Sequence, residues 1–65
     1  MNRIRILRKT GSMSQKELAD VIGVPQSLVS YWEREKRTPS VVNAQKLADF
    51  FGVEIKDIFA ERTAQ

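Results

Sequence analysis

The stretch QKELADVIGVPQSLVSYWER, residues 15–34, carries the clearest structural pattern in the chain. In its first half, Leu18, Ala19 and Ile22 share one side of a helix, because residues three and four positions apart lie on the same helical face. Ala19 is small, so a second helix can cross this side closely. Gly23 accepts a positive φ at little cost, which suits a tight turn at this point. The first half therefore predicts a short helix, over residues 15–22, that ends in a turn.

The second half of the stretch predicts another helix, over residues 26–34. Val29 and Trp32 share its apolar side, so Trp32 is expected in the core rather than as a stacking platform. Pro25 offers no capping side chain, but its fixed φ suits the start of a helix. Two short helices joined by about three residues are typical of a helix-turn-helix. The opposite arc of the second helix is polar and carries Gln26, Ser27, Ser30, Tyr31 and Arg34.

Glycine and proline residues divide the rest of the chain into segments with helical spacing, which predict three more helices, at 2–10, 41–51 and 55–60. No convincing strand alternation appears. The expected fold is an all-α, compact five-helix bundle in one domain spanning residues 1–65, with a frayed polar tail over 61–65. Helix starts are indicated by Asn2, by a capping box from Ser14 to Glu17 and by Ser40, and Gly52 indicates a helix end.

The apolar periodicity also predicts which side chains form the core. Phe50 is not needed on the core face, and with Phe59 it could form an exposed apolar patch used for dimerisation. The expected core consists of Ile4, Leu7, Leu18, Ile22, Val29, Trp32, Val41, Ala44, Leu47, Ala48, Phe51, Val53, Ile55 and Ile58.

Composition excludes several classes of function. The 65 residues include no cysteine and no histidine. Disulfides, the usual zinc sites and Ser-His-Asp or Cys-His catalysis are therefore excluded, and no cofactor, metal or enzymatic activity is expected. The sequence contains neither an apolar run long enough to span a membrane nor a secretory signal, which indicates a cytosolic protein.

The net charge of +3 is unevenly distributed. Residues 1–16 carry a charge of +5, residues 17–33 carry −3, residues 34–37 carry +2 and the remainder carries −1. Such clustering indicates one positive face, as in nucleic-acid-binding proteins, although solubility alone is the alternative reading.

Gln15, Ala19, Gly23, Val29 and Trp32 recur at offsets of 0, 4, 8, 14 and 17. This pattern resembles the phage-repressor and Cro type (XRE family) of helix-turn-helix domain. The other motifs that carry the resemblance are Leu7-Arg8, Met13 to Ala19, Ile22-Gly23-Val24, Val29 to Glu33, Arg37 to Ser40 and Leu47-Ala48 through Phe51-Gly52-Val53. The resemblance covers Arg3 to Phe59. It implies a lambda repressor-like bundle whose third helix enters the major groove of operator DNA, commonly as a dimer.

The resemblance also implies roles for particular residues. Gln26, Ser27 and Tyr31 occupy positions that touch base edges, with Ser30 beside them. Gln15 resembles a glutamine that bonds a phosphate, and residues 36–41, including Ser40, resemble a loop that follows the DNA backbone. Arg8 and Glu33 match a structural ion pair between the first and third helices.

Side-chain chemistry fits these roles. Gln26 can donate and accept together, and can therefore bind adenine N6 and N7. Arg34, Lys36 and Arg37 can displace counterions from phosphates. The alternative for each is an ordinary solvated side chain, and for Tyr31 partial burial.

Three positions depart from the family pattern. Glu35 stands where many members have glycine after the third helix, Pro25 replaces a serine or threonine cap, and Gly11 precedes Ser12, the more usual position of the family glycine. The departure at Glu35 leaves the local turn geometry open and adds a negative charge near the expected phosphates.

Two hypotheses of function follow. The first is a bacterial or phage transcription regulator, expected to be a repressor that binds operator half-sites as a dimer. The second is an antitoxin or protein-interaction module on the same scaffold, which would bind a protein partner.

Overall fold

The computed structural model of the protein describes residues 3–59, which form five helices and no strand. The all-α, five-helix prediction is thereby confirmed. Residue 60 and the tail over 61–65 lie outside the described residues. The helices are α1 (Ile4–Thr10), α2 (Gln15–Ile22), α3 (Gln26–Glu33), α4 (Val41–Phe51) and α5 (Ile55–Phe59).

The starts of α2 and α4 follow from side-chain caps. Ser14 Oγ accepts from the backbone N–H of Glu17, and the Glu17 side chain accepts from the backbone N–H of Ser14, which completes the expected capping box. Ser40 Oγ accepts from Asn43 N in the same way. α1 begins at Ile4 rather than at residue 2, with Arg3 at the N-cap position. The predicted cap Asn2 lies outside the described residues.

The first four helices end in the same way. A backbone N–H two or three residues past each helix end bonds back to a carbonyl five residues earlier, as in a Schellman motif: Met13 to Arg8, Val24 to Ala19, Lys36 to Tyr31 and Val53 to Ala48. The residue before each of these donors has a positive φ, and these residues are Ser12 (58°), Gly23 (87°), Glu35 (60°) and Gly52 (71°). Ser12 and Glu35 thus adopt a left-handed backbone conformation, which glycine accepts at lower cost. The turn after α3 keeps its geometry without glycine.

The core is built by one face of each helix. α2 packs against α3 and α4 against α5, while the N–H of Arg3 reaches the carbonyl of Ile58 at 3.4 Å and joins the start of α1 to α5. Ala19 is 1% exposed, as expected of a small residue where two helices cross. The fully buried cluster comprises Ile4, Leu18, Ala19, Ile22, Val29, Trp32, Leu47, Ala48 and Ile58, and Ala44 is also buried.

The core prediction is wrong at Val41, which is 76% exposed. Val41 has the helical spacing of Ala44 and Ala48, but it is the first residue of α4. Because each Cα–Cβ bond tilts toward the helix N-terminus, its side chain points off the end of the helix rather than onto the core. Four other predicted core residues are only partly buried and pack against the cluster, namely Leu7, Phe51, Val53 and Ile55.

Phe50 and Phe59 are exposed, at 44% and 41%. The Phe50 ring meets the Phe51 ring edge-on, with the ring centroids 5.2 Å apart. Ile6, Val21 and Val42 are also exposed, and the sequence periodicity did not single them out. Across residues 3–59, no helix is long and apolar enough to cross a membrane.

Candidate nucleic-acid interface

α3 has two faces of opposite character. Val29 and Trp32 are 0% and 1% exposed, so the helix is anchored in the core by these two side chains. Gln26, Ser27 and Tyr31 are exposed, and Ser30 is half-buried. All four residues expected to read bases therefore lie on the helix that the core holds in place, three of them accessible to solvent.

Arg8 and Glu33 form a buried ion pair that joins α1 to α3. Arg8 Nε donates to Glu33 Oε2 at 2.6 Å and Arg8 Nη2 donates to Glu33 Oε1 at 2.9 Å, so the pair is bidentate. The third nitrogen, Arg8 Nη1, donates to the carbonyl of Met13 at 2.8 Å. Within residues 3–59, every buried side-chain nitrogen and oxygen has a hydrogen-bond partner. The pair thus fixes α3 relative to α1 without leaving an unsatisfied polar atom.

Electrostatics keeps Glu33 ionised. Burial raises the pKa of the Glu33 carboxyl, but hydrogen bonds from Arg8 and Gln15 and the nearby positive charges of Arg8 and Arg5 outweigh burial and lower it overall. The hydrogen bond to Glu33 raises the pKa of the Arg8 guanidinium. Both members of the pair therefore stay charged at neutral pH.

Gln15, expected to bind a phosphate, contacts this ion pair. Its side-chain Nε2 donates to Glu33 Oε1 at 3.1 Å, and the residue is half-buried at the first position of α2. Gln15 therefore joins α2 to the link between α1 and α3. The sequence spacing gave no sign of this contact, because it joins residues 18 positions apart.

One of the positive side chains after α3, that of Arg34, lies against an aromatic ring. The Arg34 guanidinium carbon lies 5.3 Å from the centroid of the Tyr31 ring, within the range of a cation–π interaction. Their spacing of three residues on a helix predicts this contact. Arg34 thus lies beside a residue expected to read bases.

The segment that follows α3 is exposed except at one point. The backbone N–H of Lys36 donates to the carbonyl of Tyr31 at 2.8 Å, and that of Arg37 reaches the same carbonyl at 3.4 Å. Arg34, Lys36, Arg37 and Ser40 are exposed, whereas Pro39 is buried. The cationic side chains therefore project from a segment whose backbone is bonded to α3 at one end and which is buried at Pro39.

The described part of the chain contains no group of three or more acidic, cysteine or histidine side chains that could hold a metal ion. The accessible chemistry is that of amides, hydroxyls and guanidinium or ammonium groups on and after α3. Proteins use groups of these kinds to contact base edges and phosphates in DNA.

Comparison with known proteins identifies the family. The helix-turn-helix family profile matches residues 4–58. The chain is 38% identical to an uncharacterized HTH-type transcriptional regulator of Methanocaldococcus jannaschii, over 89% of this chain and 88% of that protein. It is 32% identical to the cryptic phage CTXphi transcriptional repressor RstR of Vibrio cholerae, over 92% of this chain and 54% of that protein.

A solved structure agrees with these matches. The N-terminal DNA binding domain of SinR from Bacillus subtilis superposes with a TM-score of 0.83 at 32% sequence identity, covering 95% of this chain and 91% of that one. The chain therefore belongs to the helix-turn-helix family of non-enzymatic, DNA-binding transcription regulators.

Proposed function

We propose that the protein is a transcriptional repressor that binds operator half-sites as a homodimer, with α3 in the major groove of each half-site. The observation that carries this proposal is the two-faced character of α3. Val29 and Trp32 hold the helix in the core while Gln26, Ser27 and Tyr31 stay accessible. A rigid helix with a polar outer edge has the dimensions and the chemistry to enter a major groove.

In this proposal, the residues on the polar edge read the bases. Gln26 binds adenine N6 and N7 through its amide, and Ser27 and Ser30 donate to base edges or to nearby phosphates. The Tyr31 ring packs against a thymine methyl group. Arg34 lies over that ring at 5.3 Å, which restricts the ring and places a positive charge beside the groove.

In this proposal, residues at both ends of the helix-turn-helix contact the DNA backbone. Gln15 at the start of α2 donates to one phosphate, where free backbone N–H groups and the helix dipole add to the attraction. Arg34, Lys36, Arg37 and Ser40 contact the backbone on the other side. The exposure of these four residues supports this role.

Dimerisation would supply the specificity that a single helix lacks. Each good base contact contributes only about 1–3 kcal/mol of discrimination, so one α3 distinguishes few sequences. The exposed rings of Phe50 and Phe59 offer an apolar surface to a second copy. Repression is proposed because the similar protein RstR is named as a transcriptional repressor.

Selection of binding sites from random duplex DNA tests the proposal. The expected result is enrichment of two inverted half-sites whose centres lie about 34 Å apart along the duplex. Enrichment of one unpaired half-site would contradict the dimer, and failure to enrich any sequence would contradict base reading. A reporter gene carrying the selected site near its promoter then tests repression, and increased transcription would contradict it.

A further inference from the structure

The amide of Gln15 is oriented by a buried carboxylate. Glu33 Oε1 accepts from Gln15 Nε2 at 3.1 Å and from Arg8 Nη2 at 2.9 Å, and Glu33 as a whole is 6% exposed. An ionised carboxylate accepts hydrogen bonds and donates none. The amide of Gln15 therefore turns its nitrogen, and not its oxygen, toward Glu33.

This orientation leaves one hydrogen of the amide available. The Gln15 side-chain nitrogen carries two hydrogens, and the bond to Glu33 uses one of them. Gln15 is half-buried at the first position of α2, so the residue is partly open to solvent. An amide that is turned over would present its oxygen on the side where the nitrogen now lies, and an oxygen there would repel a phosphate. Fixing the amide thus determines whether Gln15 attracts or repels the DNA backbone.

We propose that Glu33 is a positioning residue for DNA binding, an inference that rests on the proposed function. The carboxylate of Glu33 holds the Gln15 amide so that its second N–H donates to a phosphate. Arg8 acts indirectly, because it keeps Glu33 ionised and fixed in two directions. The ion pair between α1 and α3 therefore contributes to DNA affinity as well as to stability.

The test measures the effect of Gln15→Ala in two backgrounds, the natural sequence and the pair Arg8→Met with Glu33→Met. The paired substitution replaces both buried charges with flexible apolar side chains, a kind of change that is often neutral or stabilising. Circular dichroism and thermal unfolding establish that it folds. The probe is a short random-sequence duplex at low salt, because phosphate contacts carry no sequence information.

In the natural background, Gln15→Ala should weaken duplex binding by about tenfold, as expected for the loss of a hydrogen bond to a charged group. In the Met background, the same substitution should weaken binding clearly less, because no carboxylate holds the amide nitrogen in place there. Equal losses in both backgrounds would overturn the positioning role, as would no loss in the natural background. A natural chain that binds no duplex at all would instead overturn the proposed function.

A second measurement applies whether or not the Met background folds. NMR relaxation of the side-chain amide in the free natural protein should find Gln15 restricted in its motion. The exposed amide of Gln26 serves as the internal comparison. Equal mobility of the two amides would overturn the proposal, because an amide that rotates freely is not oriented by Glu33.

Discussion

Arg8 and Glu33 stand 25 residues apart in the chain, yet Arg8 Nε lies 2.6 Å from Glu33 Oε2, and their side chains are only 9% and 3% exposed. The pair joins α1 to α3, the helix that reads DNA in our proposal. Replacing one partner alone leaves the other charge buried, a change far more costly than the pair's net contribution to stability.

Glu33→Gln should therefore lower the free energy of unfolding by about 3–5 kcal/mol. Urea denaturation followed by circular dichroism measures this change. The control is Lys16→Ala, which breaks the exposed pair between Lys16 Nζ and Asp20 Oδ2 at 3.3 Å. That loss should not exceed about 0.5 kcal/mol. Similar losses in the two variants would mean that breaking the buried Arg8–Glu33 pair costs no more stability than breaking an exposed pair.

Stability should fall in acid because of the same carboxylate. The pKa of Glu33 is lower in the folded protein than its ordinary value, so the unfolded state takes up this proton first as the pH falls. The stabilisation from Glu33 is fully present above its ordinary pKa of about 4.3 and is lost as the pH falls through the lower folded-state value. Urea titrations at a series of acidic pH values should give a steeper loss for the natural chain than for the Arg8→Met, Glu33→Met pair. Parallel curves would contradict the assignment to Glu33.

Moving one glycine by a single position should stabilise the fold. Ser12 has a φ of 58°, whereas Gly11 has a φ of −87° and space for a Cβ, with no neighbouring atom nearer than 3.7 Å. The pair Gly11→Ala with Ser12→Gly relieves the left-handed serine and should gain about 1 kcal/mol in thermal or urea unfolding. The opposite control is Gly23→Ala, at a φ of 87° with open space around the site. It should lose about 1 kcal/mol from backbone conformation alone. If the glycine shift instead lowers the stability, Ser12 makes a stabilising interaction that outweighs the cost of its left-handed backbone.

Gln26→Ala should weaken binding to the selected operator by about 1–3 kcal/mol and leave random-sequence binding nearly unchanged. The reason is that Gln26 is exposed at the first turn of α3 and is proposed to contact bases rather than phosphates. Electrophoretic mobility shift or fluorescence anisotropy measures both affinities. Gln45→Ala, an exposed glutamine of α4, is the matched control. Equal losses on operator and random DNA would argue against base reading by Gln26.

Lys36→Ala should weaken binding to all sequences alike and reduce the salt dependence of binding by about one unit of slope. Lys36 is exposed in the segment after α3, where its backbone N–H is bonded to Tyr31. Affinity for one duplex, measured across a range of salt concentrations, gives the slope. Lys56→Ala removes the same charge from α5 and should leave the slope unchanged. An unchanged slope for Lys36→Ala would remove Lys36 from the proposed phosphate contacts.

Local pattern was sufficient to predict most of the fold. Helical periodicity, the Ser14 to Glu17 capping box and Gly23 are features of neighbouring residues, and they placed α2 at its observed bounds and α3 to within one residue. Val41 shows the limit of this reasoning. Periodicity assigns a residue to a helical face, but it does not say whether anything covers that face at the end of the helix.

Residues within about one helical turn of each other were sufficient to predict the five helices, the caps of α2 and α4 and the polar edge of α3, because each of these is a local feature. Tertiary packing was needed to bring Gln15 Nε2, Arg8 Nη2 and Glu33 Oε1 together at one point, and the folded structure shows that Ser12 and Glu35 take a left-handed backbone conformation. Three helices must pack before those atoms approach. The packed chain then holds the amide of Gln15, and any backbone strain at the two turns, in a geometry that no local pattern specifies.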